Sequence, residues 1–116
     1  DMDVLNLFYS ENLEYGWTPH PRNPIVKAEK HHARPAGRVT LMNGRLYRFA
    51  QDDYPRYGSK VYAFEILDLS TETYQEKILS DKPIIGESGK GWNASGMHHI
   101  DLHLIDGIWL SVVDGY

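Results

Sequence analysis

Asn43-Gly44 sits between two runs of strand-forming residues, Arg38–Met42 and Arg45–Gln51. A type I′ turn needs positive φ at both central positions, and Asn-Gly meets that need at least cost, so the pair predicts a two-residue β-hairpin. An antiparallel hairpin brings its two open ends together. Here those ends carry Arg34 and Arg38 on the way in, and Gln51, Asp52 and Asp53 on the way out. The chain is therefore committed to antiparallel sheet, with a polar cluster at the mouth of this hairpin.

The remaining segments extend that pattern. Val4–Ser10 is short, apolar and aromatic, and reads as a strand. Residues 11–32 read as loop, since Pro19, Pro21 and Pro24 each bias their predecessors toward extended backbone. Lys60–Leu69 alternates with period two, placing Tyr62, Phe64 and Ile66 on one face and Val61, Ala63, Glu65 and Leu67 on the other. Both faces are mainly apolar, so this strand is expected to be covered on both sides. Tyr74–Leu79 is more polar, as suits an edge strand. Residues 80–96 are rich in glycine and read as loop. Met97–Ile105 and Ile108–Val113 flank Asp106-Gly107, a second hairpin signal.

No stretch shows helical periodicity, so the expected class is all-β. The strands from 38 to 79 form one four-stranded meander, a second meander begins at 97, and strand 4–10 precedes both. Repeated four-stranded antiparallel sheets are the unit of a β-propeller. The expected organisation is a single propeller-type piece, with a full blade at 38–79 and a partial blade at 97–113.

At 116 residues the chain is one domain's worth. Twelve basic against sixteen acidic residues give a net charge of −4, which leaves no basic footprint for nucleic acid. No apolar run is long enough to span a membrane. The absence of cysteine removes disulfides, thiolate metal sites and a cysteine nucleophile. Met2 follows Asp1, so the chain is expected to be a piece of a longer protein. Its first residues lack the pattern of a signal peptide, and the expected location is cytoplasmic.

Three groups carry candidate chemistry. The first is Arg34, Arg38, Gln51 and Asp52 at the hairpin mouth. Arginine's planar fork suits carboxylates and phosphates, yet an Arg–Asp pair there is also sound structure without a ligand. The second is His98-His99-Ile100-Asp101-Leu102-His103. On a strand His99, Asp101 and His103 share a face, but they span about 13 Å, too far for one ion. No metal and no cofactor are expected. The third is the carboxylates Asp52, Glu65, Asp101 and Asp114. Glycoside hydrolysis needs two of these at a set separation, and no pair is legible. Among the loop aromatics, Tyr57 and Trp92 are candidates to stack on a sugar ring.

Several motifs together resemble one known family. They are W-T-P-H-P-R-N-P-I (17–25), A-R-P-A-G-R (33–38), N-G-R-L-Y-R-F-A-Q-D (43–52), Y-G-S-K-V-Y-A-F-E-I (57–66), L-S-T-E-T-Y-Q-E (69–76), W-N-A-S-G-M-H-H-I-D (92–101) and W-L-S-V-V-D-G (109–115). They are similar to the propeller-like region ahead of the glycosyltransferase domain in glucosamine inositolphosphorylceramide transferases. They are also similar to that region's bacterial relatives in methionyl-tRNA formyltransferase-like proteins. More distantly, they resemble the five-bladed propellers of arabinanase- and invertase-type glycoside hydrolases. The resemblance implies a five-bladed propeller and an accessory domain that binds or presents a sugar or amino sugar within a larger transferase. It also implies that this piece is not catalytic alone. In such a propeller Arg38 and His98 or His99 would begin the innermost strands of successive blades and meet near the axis. The expected ligand-contacting set is Arg34, Arg38, Gln51, Asp52, Tyr57, Trp92, His98, His99 and Asp101. The alternatives are part of a glycoside-hydrolase-like enzyme, and a structural module that dimerises through exposed strand edges.

Overall fold

The computed structural model describes residues 3–116. It is all-β and antiparallel, with one short 3-10 turn at Gly91–Asn93. The strands are β1 (Phe8–Tyr9), β2 (Thr18–Pro19), β3 (Thr40–Met42), β4 (Arg45–Asp52), β5 (Lys60–Leu69), β6 (Tyr74–Ile78), β7 (Ile85–Gly86), β8 (Ile100–Ile105) and β9 (Ile108–Val113). Strands β3-β4-β5-β6 form the expected meander, with β7 also paired to β5. Separate two-stranded sheets are made by β1-β2 and β8-β9.

Both hairpin turns form as their sequences dictate. Asn43 and Gly44 have φ of 53° and 77°, and Asp106 and Gly107 have 51° and 77°. The β5–β6 turn is braced by Ser70, whose Oγ accepts the backbone N–H groups of Glu72 and Thr73 at 3.1 and 2.9 Å.

Four segments differ from the sequence reading. The strand expected at 4–10 shrinks to Phe8–Tyr9 and pairs with Thr18–Pro19, inside the supposed proline loop. Pro19 can sit there because a two-residue edge strand asks little of its missing N–H. The strand expected at Arg38–Met42 is interrupted. Residues 34–36 already run beside β4, where Gln51 donates its backbone N–H to the Arg34 carbonyl and Ala36 donates to Phe49, both at 2.9 Å. Gly37, Arg38 and Val39 then bow outward before β3 resumes at Thr40. The loop at 80–96 contains β7, which continues along the same edge of β5 as β6. Finally, the strand expected from Met97 starts at Ile100, so His98 and His99 precede it.

Strand β5 is covered on both faces as far as Ile66, as its pattern predicts, and its end from Leu67 to Leu69 is exposed. On one side Ile100, Leu102 and Val113 of the β8–β9 hairpin pack with Ala36, Phe49, Val61 and Ala63. On the other lies the N-terminal segment. His32 meets Tyr62 and Phe64 edge-on, at 4.8 and 5.3 Å between ring centroids. His20, nearly fully buried, donates Nε2–H to the Ser70 carbonyl at 2.9 Å. Between this segment and the sheet lies an apolar cavity of about 240 Å³, bounded in part by Leu5, Leu7, Ile25 and Ile66. No helix among the described residues is long and apolar enough to cross a membrane.

Candidate functional site

The bow at Gly37–Val39 is where the central sheet meets the β8–β9 hairpin. Ile100 donates its backbone N–H to the Ala36 carbonyl at 2.7 Å. A Cβ on Gly37 would lie 2.0 Å from the Ile100 carbonyl oxygen, and Gly37 has φ of 149°. Only glycine allows the backbones to approach this closely. The joint throws Arg38 outward, across the start of β8.

Arg38 Nε lies 2.7 Å from Asp101 Oδ1, and His103 Nε2 lies 2.8 Å from Asp101 Oδ2. Arg38 Nη2 is 2.8 Å from both ring nitrogens of His103. Equal distances place the guanidinium over the imidazole rather than along either nitrogen's lone pair. Asp101 and His103 share a face because they are two apart on β8. The hydrogen bond from His103, with the charges of Arg38 and His103 behind it, holds the Asp101 carboxyl below its ordinary range against a smaller opposing effect of burial. Arg38 and His103 stay open to solvent, with Arg38 55% exposed, while Asp101 Oδ1 is itself buried. Exposed ion pairs of this kind contribute little to stability, because water and salt screen them. The cluster therefore presents a fixed anion with two flanking nitrogen groups, and adds little to the fold.

A second group forms at the start of β8. Arg34 Nη2 donates to the Tyr57 hydroxyl at 3.3 Å, and its Nε lies 3.7 Å from Asp53. The Tyr57 ring meets His98 edge-on at 5.2 Å, and His98 in turn faces Tyr116. His98 Nδ1 contacts Asp114 Oδ2, while Asp114 Oδ1 accepts the backbone N–H groups of His98 and His99, both at 2.9 Å. A Cβ on Gly58 would lie 2.7 Å from the His98 ring, so the glycine makes its seat. Trp92 is exposed and covers Gly115, beside Asp114.

The structure thus brings Arg38 to Asp101, and Arg34 and Tyr57 to His98. It does not join the arginines to Asp52. Asp52 is 1% exposed and accepts from His31 Nδ1 and from the Tyr54 backbone N–H, both at 2.9 Å. The acidic partner of Arg34 is Asp53, whose Oδ1 also accepts the Gly58 N–H at 3.1 Å. Two adjacent strand-end aspartates point opposite ways, which is why one is buried under His31 and the other faces Arg34. Gln51 is buried and donates Nε2–H to the Pro35 carbonyl at 2.8 Å. His99 is exposed, beside Gly37. Glu65 lies between Arg45 and Lys77, at 3.7 and 3.5 Å. Among the described residues no group of three or more His, Asp or Glu side chains is placed to hold a metal ion.

Sequence reasoning left His103, Asp53 and Asp114 out of the ligand-contacting set. The period-two face of β8 was a signal for His103. Nothing local pointed to Asp114, sixteen residues from the His98 N–H it accepts.

The model of the N-terminal region of glucosamine inositolphosphorylceramide transferase 1 matches residues 2–116. The chain belongs to this family. Glucosamine inositolphosphorylceramide transferase 1 of Oryza sativa subsp. japonica is 38% identical over 116 residues, covering 96% of this chain and 15% of that protein. The protein of the same name from Arabidopsis thaliana is 35% identical over 114 residues, with the same two shares. The chain thus spans 15% of the length of these transferases. No solved structure matches it.

Proposed function

We propose that this chain is an accessory domain of a larger glycosyl-transferring protein, and that it binds or presents a sugar where the central sheet meets the β8–β9 hairpin. One observation carries the reading: Arg38, Asp101 and His103 form a solvent-open, hydrogen-bonding cluster across two sheets. The Arg38 and His103 N–H groups offer donors to a polyhydroxylated ring, and the remaining lone pair of Asp101 Oδ2 offers an acceptor. Arg34, Tyr57 and His98 extend the same surface, with Trp92 beyond them. The β8–β9 hairpin packed on one face of the four-stranded meander, as the start of a second antiparallel sheet would be, supports neighbouring propeller blades. Family membership supports a sugar-handling parent, since the relatives' name describes a glucosamine transferase. Screening the chain on a glycan array should give saturable binding that falls in Arg38→Ala and in His103→Ala. Binding untouched by both changes would remove the proposed surface.

A second reading has its own observation. Ile108, Leu110 and Val112 lie exposed along β9, whose outer edge is unpaired among the described strands. Such an edge is a template for strand pairing, and we propose that two copies can pair through it.

A further inference from the structure

The β1–β2 loop forms a second concavity, on a different sheet from the junction described above. Its volume is about 530 Å³, and its walls include Tyr9, Ser10, Glu11, Asn12, Tyr15 and Thr18. That volume falls within the range of small-molecule sites. The loop is held open by its own bonds. Ser10 Oγ donates to the Tyr15 carbonyl at 2.7 Å and accepts the Asn12 N–H at 3.0 Å. Asn12 Oδ1 accepts the Glu14 N–H at 2.8 Å, and Trp17 Nε1 donates to the Leu13 carbonyl at 3.2 Å. Gly16, with φ of 77°, turns the chain back toward β2. These bonds leave the two tyrosine hydroxyls, the Asn12 side-chain amide and the Glu11 carboxylate available at the wall. Among the described residues no cation pairs with Glu11. Tyr15 is 66% exposed and Tyr9 36% exposed, so neither ring is committed to the core.

We infer that this loop is a separate saccharide subsite for a single pyranose ring. The apolar C–H face of a pyranose packs on a tyrosine ring, while its hydroxyls need the mixed donors and acceptors found here. The Glu11 carboxylate sets the order of preference by charge: an amino sugar first, a neutral sugar next, a uronic acid last. The site shares no residue with the Arg38–Asp101–His103 cluster, so each stands or falls alone.

The test is a backbone-amide NMR titration of the full chain with glucosamine, glucose and glucuronate in turn. Saturable shifts should map to residues 9–18, in that order of affinity. Tyr15→Ala should weaken glucosamine binding about tenfold, with Tyr15→Phe, which keeps the ring and loses the hydroxyl, falling between that variant and the parent. Glu11→Gln should bring glucosamine and glucose together. Shifts confined to the surroundings of Arg38 and Asp101 would overturn this subsite while leaving the junction reading in place. Shifts at residues 9–18 that ignore both Tyr15→Ala and Glu11→Gln in folded protein would also overturn it.

Discussion

Arg48 is 5% exposed, yet its guanidinium is well engaged. It makes a bidentate pair with Glu76 at 2.8 Å for each bond, donates to the His32 carbonyl at 2.9 Å, and lies 4.4 Å from the centre of the Phe64 ring. Glu76 also accepts from the Tyr74 hydroxyl at 2.9 Å, and burial with the nearby Glu76 charge pushes the Tyr74 phenol well above its ordinary range. Removing one partner of a buried pair strands the other, so Arg48→Met should cost about 3–5 kcal/mol in urea denaturation. Adding Glu76→Leu should recover part of that loss. This pair was invisible in the sequence, because its members are 28 residues apart and nothing in the period or spacing of their two segments joins them. His31 and Asp52, 21 residues apart, were equally hidden as a pair, whereas Arg38 was expected to meet His98 or His99 and meets Asp101 instead. His32 adds a pH dependence. Burial lowers its pKa from 6.5, although Glu29 opposes that. The unfolded chain therefore takes up the proton more readily. The His32 contribution is fully present above about 6.5 and is lost as pH falls through that value toward the lower folded pKa. Replacing it with Phe should flatten the decline in urea midpoint between pH 7.5 and 5. Asp101 acts in a separate window, contributing above 3.8 and losing that contribution at lower pH.

Among the elements, the two hairpin turns were the most legible, because Asn-Gly and Asp-Gly specify a backbone conformation on their own. The central β5 was legible from its two apolar faces. The break in the strand before Asn43-Gly44 was not. Local propensity sees Gly37 as punctuation, but what bends the chain there is the Ile100 backbone arriving from 63 residues later in the sequence. Gly37→Ala should thus separate the β8–β9 hairpin from the central sheet more than it weakens either. Hydrogen exchange is expected to show lost protection at Ile100 and along β9, with β4 and β5 nearly unchanged. Uniform loss across all strands would count against Gly37 as the joint. Gly44→Ala is a useful contrast. Nothing lies within 4 Å of the added methyl, so the cost should be limited to the positive φ, about 1 kcal/mol.

For the molecule as a whole, the radius of gyration is 15.1 Å, above the value of about 13 Å for a compact domain of this length. The excess matches an open arrangement in which the β8–β9 hairpin and the N-terminal segment flank a central meander and β9 keeps an apolar outer face. If that edge pairs copies, light scattering at rising concentration should approach twice the chain mass, and Leu110→Lys should return it to the monomer. A monomer at every concentration would remove the pairing. The all-β class and the meander were readable in the sequence because they depend on local period and turns. The relation between sheets was not, since it depends on contacts at Gly37, Gly58 and Gly115 that leave no periodic trace. The central claim is that Arg38, Asp101 and His103 receive a sugar. It is tested most directly by following the His103 ring nitrogens by NMR while glucosamine is added to the chain and to Arg38→Ala. The account predicts saturable His103 shifts in the parent that vanish or weaken at least about tenfold in the variant. His103 signals that stay fixed at saturating sugar, or that shift equally without Arg38, would contradict it.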